Sequence, residues 1–400
     1  MVLVQKLVLV SVAVFSTITG TAAYGRIGHW LSGRIAQELL SNESALLAKQ
    51  LLPQYHGNLA DAASWADVIK SKPEYIWSKN LHFINPINDH PPEQCSYNPG
   101  ERDCPDNHCI VAAIHNYTRR LISPPANAPV AAVREESLKF LLHYIGDLHQ
   151  PLHVTGRDRG GNSAQVRFNG RLTSLHGVWD SLMFEKRIRE DFGGSQEKYA
   201  AFLVQEISTT WRAELPSWIS CPAESESSTL ALPSIAGMES PVPVCPERWA
   251  RYSNIVNCVY VWKDYKRKYE ISGKYYQNAI PIAEKMLAQA ALRFAAVFGA
   301  ATMVIGNDSS IVDTTHLGAP AFAANRLTHA VQMPFDAGVQ RSIDTIGVGL
   351  FLNPAVTSAQ VDTTLSEDQT TSNSSPREKS QTSALSTVIA VIQRIFLGAE

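Results

Sequence analysis

Residues 143–153 read His-Tyr-Ile-Gly-Asp-Leu-His-Gln-Pro-Leu-His, and the architecture and the chemistry are both legible from that stretch. His143 and Asp147 are four apart, so on a helix they leave one face a turn apart. Leu138, Leu141, Leu142 and Ile145 recur at helical spacing over 136–149, which predicts a helix running into the motif. Pro151 ends that helix and lets His153 return to the same side.

Helical periodicity extends outward in both directions, from residue 24 to about residue 300. Leu31, Ile35, Leu39 and Leu40 predict helix within 31–52. An Ala- and Leu-rich segment from Ile280 to Phe298 predicts a long helix that stops at Gly299, a suitable C-terminal cap. Strand patterns are scarce. Gln165-Val-Arg-Phe168 before Asn169-Gly170 predicts one small hairpin. Residues 222–243 read as a Ser/Pro/Glu-rich loop between Cys221 and Cys245. Periodicity fades after about 302, and 356–383 is dense in Ser, Thr, Asp and Gln, the composition of a solvated, disordered linker. The apolar stretch 385–397 is interrupted by Gln393 and Arg394; it reads as an amphipathic helix and only partly meets the pattern of a C-terminal membrane-anchor signal. The expected organisation is therefore a mostly α-helical domain over 24–302, preceded by 1–23 and followed by an extension over 303–400.

Residues 1–23 have the form of a secretory signal. Lys6 is the sole charge, an apolar run spans Leu7 to Phe15, and Thr21-Ala22-Ala23 supplies small residues for cleavage. The run is shorter than the ~18 apolar residues of a membrane span. Cleavage would leave Tyr24 as the amino terminus. Six cysteines, an even number, fit three disulfides in an oxidising, extracellular compartment, with Cys104 and Cys109 the local pair. Sequons at Asn42, Asn116, Asn307 and Asn373 are compatible with glycosylation there.

The chain has 35 basic and 37 acidic residues, a net charge of −2, and is 45% hydrophobic. That composition excludes wholesale disorder, and the charge excludes capture of nucleic acid by bulk positive charge. Chemistry must come from local sites, and His and Asp supply them. Besides His143/Asp147 there is a second His-x3-Asp pair, His176 and Asp180, in His-Gly-Val-Trp-Asp. Asp67 lies in Ala63-Ser-Trp-Ala-Asp67, His82 in Leu-His-Phe83, and His29 ends Tyr24-Gly-Arg-Ile-Gly-His29. Imidazole nitrogens and carboxylate oxygens in preoriented pairs suit zinc, while no Cys or Met lies beside them for a softer ion. A single such histidine would read as a hydrogen-bonded core residue; the repeated pairs favour metal binding.

Taken together and in this order, the motifs resemble the secreted, single-strand-preferring zinc nucleases of fungi, plants and protozoa, the class I or 3′-nucleotidase/nuclease family. The resemblance covers roughly residues 24–300. It implies a single α-helical domain of the fold shared with bacterial zinc phospholipase C, holding three Zn2+. It further implies that Asp67, His82 and His143 bind one ion and that Asp147 bridges it to a second. The second would be held by His29 and the backbone amine and carbonyl of Tyr24, where relatives usually carry Trp. A third would take His153, His176 and Asp180. By the same resemblance Asp67 orients the attacking water and Lys70 neutralises phosphoryl charge. Phe83 would stack an unpaired base, with Asp106 or Asn107 in the small disulfide loop, and Ser181, affecting base preference. His149 reads as support for the ligands, and His56, His90, His108, His115, His316 and His329 as surface or structural residues. The expectation is a secreted monomeric enzyme cutting single-stranded DNA and RNA to 5′-mononucleotides and removing 3′-phosphates from 3′-nucleotides. The alternatives are a phospholipase C-like enzyme on the same fold and a non-catalytic secreted metal-binding protein.

Overall fold

The computed structural model describes residues 25–221 and 244–306. The signal segment, Tyr24, the loop 222–243, the sequons at Asn307 and Asn373, the linker 356–383 and the C-terminal apolar stretch lie outside the described residues. Within them the chain is mostly helical, as the periodicity predicts.

The pattern over 31–52 belongs to two helices, α1 (Arg26–Leu39) and α2 (Asn42–Leu51). Leu40 turns extended between them, and the Ser41 hydroxyl accepts a hydrogen bond from the Ser44 amide, capping α2. Two short helices follow, α3 (Leu59–Ala62) and α4 (Trp65–Ile69), then a 3-10 segment, Pro73–His82. α5 (Ile110–Ile122) packs along α6 (Val130–Leu148), the helix that carries His143 and Asp147. Every residue of α6 from Ser137 to Leu148 is buried, so it is covered on all sides. The 3-10 turn Pro151–Val154 after it brings His153 back, as Pro151 predicts.

The hairpin forms where Asn169-Gly170 marks it. β1 (Gln165–Phe168) pairs antiparallel with β2 (Arg171–Ser174), Phe168 opposite Arg171, and both turn residues have positive φ (51° and 75°). Next come α7 (Leu175–Gly177), a π-helical turn Val178–Leu182, α8 (Met183–Asp191), α9 (Gln196–Ser208), α10 (Leu215–Ile219) and α11 (Pro246–Val256).

α12 runs from Lys274 to Gly306 and packs on α1, α6 and α5. It does not stop at Gly299. A glycine inside a helix costs only about 1 kcal/mol, and here the next two turns bury Ala301, Thr302 and Ile305. Thr302 also bonds the Ser44 hydroxyl at 3.1 Å. Tertiary burial thus overrides the local stop signal. α12 is long and apolar enough to cross a membrane, but 67% of its most apolar window is buried in the fold, so it is a core helix. Three disulfides tie the loops: Cys104–Cys109 as spacing predicts, Cys95–Cys258 and Cys221–Cys245.

Candidate metal centre

The predicted ligands converge. His29, His143 and Asp147 form one cluster, Asp67, His82 and His143 a second, and His153, His176 and Asp180 a third. Elements far apart in sequence deliver them: α1 brings His29, α4 Asp67, the 3-10 segment His82, and α6 His143 with Asp147. The pair His176 and Asp180 spans α7 and the π turn, with imidazole Nε2 and carboxylate 2.9 Å apart.

Asp147 faces two ways. Its Oδ1 lies 3.1 Å from His29 Nε2, and its Oδ2 lies 2.9 Å from His82 Nδ1 and 3.0 Å from His143 Nε2. His82 Nδ1 and His143 Nε2 are themselves 3.0 Å apart. Asp67 Oδ1 completes the ring at 3.6 and 3.5 Å from those nitrogens.

Hydrogen bonds behind the ligands fix which nitrogen faces inward. His143 Nδ1 donates to the Ala63 carbonyl at 2.7 Å, His153 Nδ1 to the His82 carbonyl at 2.8 Å, and His176 Nδ1 to the Gly160 carbonyl at 2.6 Å. Each assignment leaves Nε2 with its lone pair towards the centre. Gln150 donates to Asp180 at 2.6 Å and holds it from behind. Facing inward, Asp67 Oδ2, Asp147 Oδ1, His153 Nε2 and Asp180 Oδ2 are buried without a hydrogen-bond partner. Buried carboxylates so arranged are costly unless a cation joins them. Nitrogen and oxygen donors, several lone pairs converging and none satisfied, fit borderline divalent ions such as zinc.

The same crowding appears as proton affinity. Burial would lower the His143 pKa, but Asp147 and Asp67 outweigh it and push it up to about 10. Burial raises and His143 lowers the Asp67 and Asp147 carboxyls, and both end below the usual range. Burial pushes His82 down to about 4.

Lys70 extends from the end of α4 and donates to Asp67 Oδ1 at 2.6 Å, leaving the second oxygen free. The clusters open on a cavity of about 410 Å³ lined by Lys70, His82, Phe83, His153 and His176, and also by Lys79 and Arg159. Phe83 is half-buried and lines the cavity. Asp106 and Asn107 are exposed in the Cys104–Cys109 loop, both with φ of 54°, outside the cavity lining. Ser181 lies against the incoming chain: a Cβ on the buried Gly25 would sit 1.6 Å from its Oγ. That places residue 25 beside Asp180, but Tyr24 itself falls outside the described residues.

His149 is no ligand. Its Nδ1 bonds the Ile145 carbonyl and its Nε2 faces Arg293 of α12. His115 is structural, bonded to Glu247 at 2.8 Å. Asn42 and Asn116 are exposed on helices. Sequence reasoning passed over Gln150, Lys79, Asn85, Arg159 and Asn162; the Gly160-Gly161 pair was the one available signal of a tight loop near them.

Comparison with known proteins gives a consistent picture. The sequence profile described as S1/P1 Nuclease matches residues 24–302. The chain is 32% identical to Endonuclease 3 of Arabidopsis thaliana over 283 residues, 70% of this chain and 88% of that one. It is 31% identical to Nuclease S1 of Aspergillus oryzae, covering 73% of this chain and 96% of the relative. With Nuclease P1 of Penicillium citrinum it shares 33% identity over 68% of this chain and 95% of the other.

Proposed function

The chain belongs to the S1/P1 nuclease family and is a metal-dependent nuclease, and from that premise we propose that it is a secreted endonuclease and 3′-nucleotidase working with three Zn2+. The substrates are single-stranded DNA, RNA and 3′-nucleotides, and the products are 5′-mononucleotides. The observation that carries this reading is the set of three His/Asp clusters, two of them sharing His143, beside a cavity that Lys70, Lys79 and Arg159 help to line.

Asp67, His82 and His143 would hold one ion, and Asp147 would reach from it to a second held also by His29 and the Tyr24 backbone. His153, His176 and Asp180 would hold the third. Ions bound there would supply a hydroxide near neutral pH and positive charge for the departing 3′-oxygen. The chain's own groups do the rest. Asp67, with Oδ1 on Lys70, offers its free Oδ2 to orient the attacking water in line with phosphorus. Lys70 stands where charge builds on the phosphoryl oxygens. Phe83 presents a face on which a base stacks only when unpaired, which selects single strands. Three disulfides suit an oxidising compartment, so secretion is part of the reading. Removal of residues 1–23 would free the Tyr24 amine, whose lone pair completes the second ion's ligands.

A gel assay with single-stranded DNA, duplex DNA, RNA and phosphatidylcholine, with and without chelator, tests this reading alongside metal analysis. We expect chelator-sensitive cutting of single strands and RNA and three zinc per chain. Release of choline phosphate without strand cutting would instead assign a phospholipase. Full metal content without turnover on any substrate would assign a binding protein.

A further inference from the structure

Beyond the metal centre, the lining of the cavity carries two cations that the reaction at phosphorus does not use. Lys79 and Arg159 both line it, both are exposed, and among the described residues neither is paired with a carboxylate. They come from different elements. Lys79 lies three residues before His82 on the 3-10 segment, where three residues make a turn, so it shares a face with that ligand. Arg159 lies in a loop bent back on itself.

That loop is under strain. Asp158, Arg159, Gly160 and Gly161 have φ of 48°, 58°, 61° and 77°, four successive residues in the left-handed region. The two non-glycine positions cost on the order of 1 kcal/mol each. Hydrogen bonds hold the bend: Gly161 amide to Arg157 carbonyl at 2.9 Å, and Ser163 amide to Asp158 carbonyl at 2.9 Å. Asn162 donates to the Arg159 carbonyl at 3.0 Å. The Gly160 carbonyl receives His176 Nδ1, and a Cβ at Gly160 would come within 2.7 Å of the Leu152 carbonyl. The Arg159 backbone is therefore fixed one residue from the group that orients a metal ligand. An exposed arginine without a counter-charge, held at that cost beside the centre, awaits an anion.

We propose that Lys79 and Arg159 grip the phosphates flanking the scissile one, so the cavity favours a polyanionic strand over a mononucleotide. This rests on the nuclease reading above and adds the size of substrate that the site rewards. A mononucleotide has one phosphate, which the centre and Lys70 occupy; the two rim cations then have nothing to hold. A strand of three or more phosphates engages all of them, and each rim contact adds counterion release to its binding.

The test uses the full metal-loaded chain as wild type, Lys79→Ala, Arg159→Ala and the double variant. Two readouts apply across roughly 50 to 200 mM salt. One is steady-state cleavage of a fluorescent oligothymidylate against hydrolysis of a 3′-mononucleotide. The other is binding of a phosphorothioate oligothymidylate by fluorescence anisotropy. We expect the log–log salt slope for oligonucleotide binding to flatten by about 0.7 for each cation removed. We expect the double variant to lose about tenfold more kcat/KM on the oligonucleotide than on the mononucleotide, chiefly through KM. Equal losses on both substrates, or the same salt slope in all four proteins, overturns the rim assignment. If the variants show the expected slope change against wild type yet wild type cuts nothing, the nuclease reading falls and the rim assignment stands.

Discussion

His143 and Asp147 carry more of the centre than their neighbours, because each sits between two clusters while His176 serves one. Removing His143 should therefore take away more metal than removing His176. We expect His176→Ala to lose about one zinc per chain, and His143→Ala to lose more than one, with turnover abolished in both; equal losses by plasma emission analysis would show that the clusters bind independently. Lys70→Ala should keep its metals and lose about 10² in kcat with little change in KM. The clustered residues were legible in the sequence by two routes: helical spacing puts His143 near Asp147 and His176 near Asp180, while His29, Asp67, His82 and His153 were picked out by the order of the motifs and the resemblance they carry. Lys79 and Arg159 were not. Their role depends on a left-handed loop and on which wall of a cavity they reach, and neither leaves a periodic trace. Gly25 was missed for the same reason: only the fold brings Ser181 against it.

Among the elements, helix type was readable and helix ends were not. Leu40-Ser41 breaks an unbroken apolar pattern because a hydroxyl cap competes with helix continuation, and α12 continues through Gly299 because burial beyond it outweighs the glycine. Phe298 is fully buried there and stacks on Phe294 at 5.8 Å. Phe298→Ala should cost about 4 kcal/mol and lower the melting temperature by roughly 10 °C in calorimetry. The junction of α5 and α11 makes a pH prediction. Burial raises the Glu247 carboxyl, but its bond to His115 prevails and holds it below the ordinary glutamate value. A depressed folded pKa stabilises above the unfolded value, about 4.3, and that stability is lost as pH falls through the folded one. Glu247→Gln should thus be less stable than wild type by about 1 kcal/mol at pH 6. The gap should close as pH falls below the unfolded value and through the folded one, where the wild-type carboxyl takes up its proton; a gap that stays constant over that descent in urea melts would refute the assignment.

Across the whole molecule, near-zero net charge and nucleic-acid substrates are reconciled by where the charge sits. Bulk basicity was the wrong quantity to count: His/Asp clusters that could hold metal ions and three basic side chains lie at one cavity, beyond the reach of a composition. One covalent link also spans this scale. Cys95–Cys258 joins residues 163 apart, and a bridge closing so long a loop stabilises by about 5 kcal/mol in the chain-entropy account. Boiled under oxidising conditions, the enzyme should regain cutting activity on cooling, whereas Cys95→Ser with Cys258→Ser should regain far less. His143, Asp147, His153, His176 and Asp180 all lie inside that closed ring, while His29, Asp67 and His82 lie on the free arm before it. The denatured chain is thus a lasso whose loop keeps five ligands corralled. Heat alone is a poor way to rid a sample of such an enzyme, and a reducing agent added before heating is what makes its loss permanent.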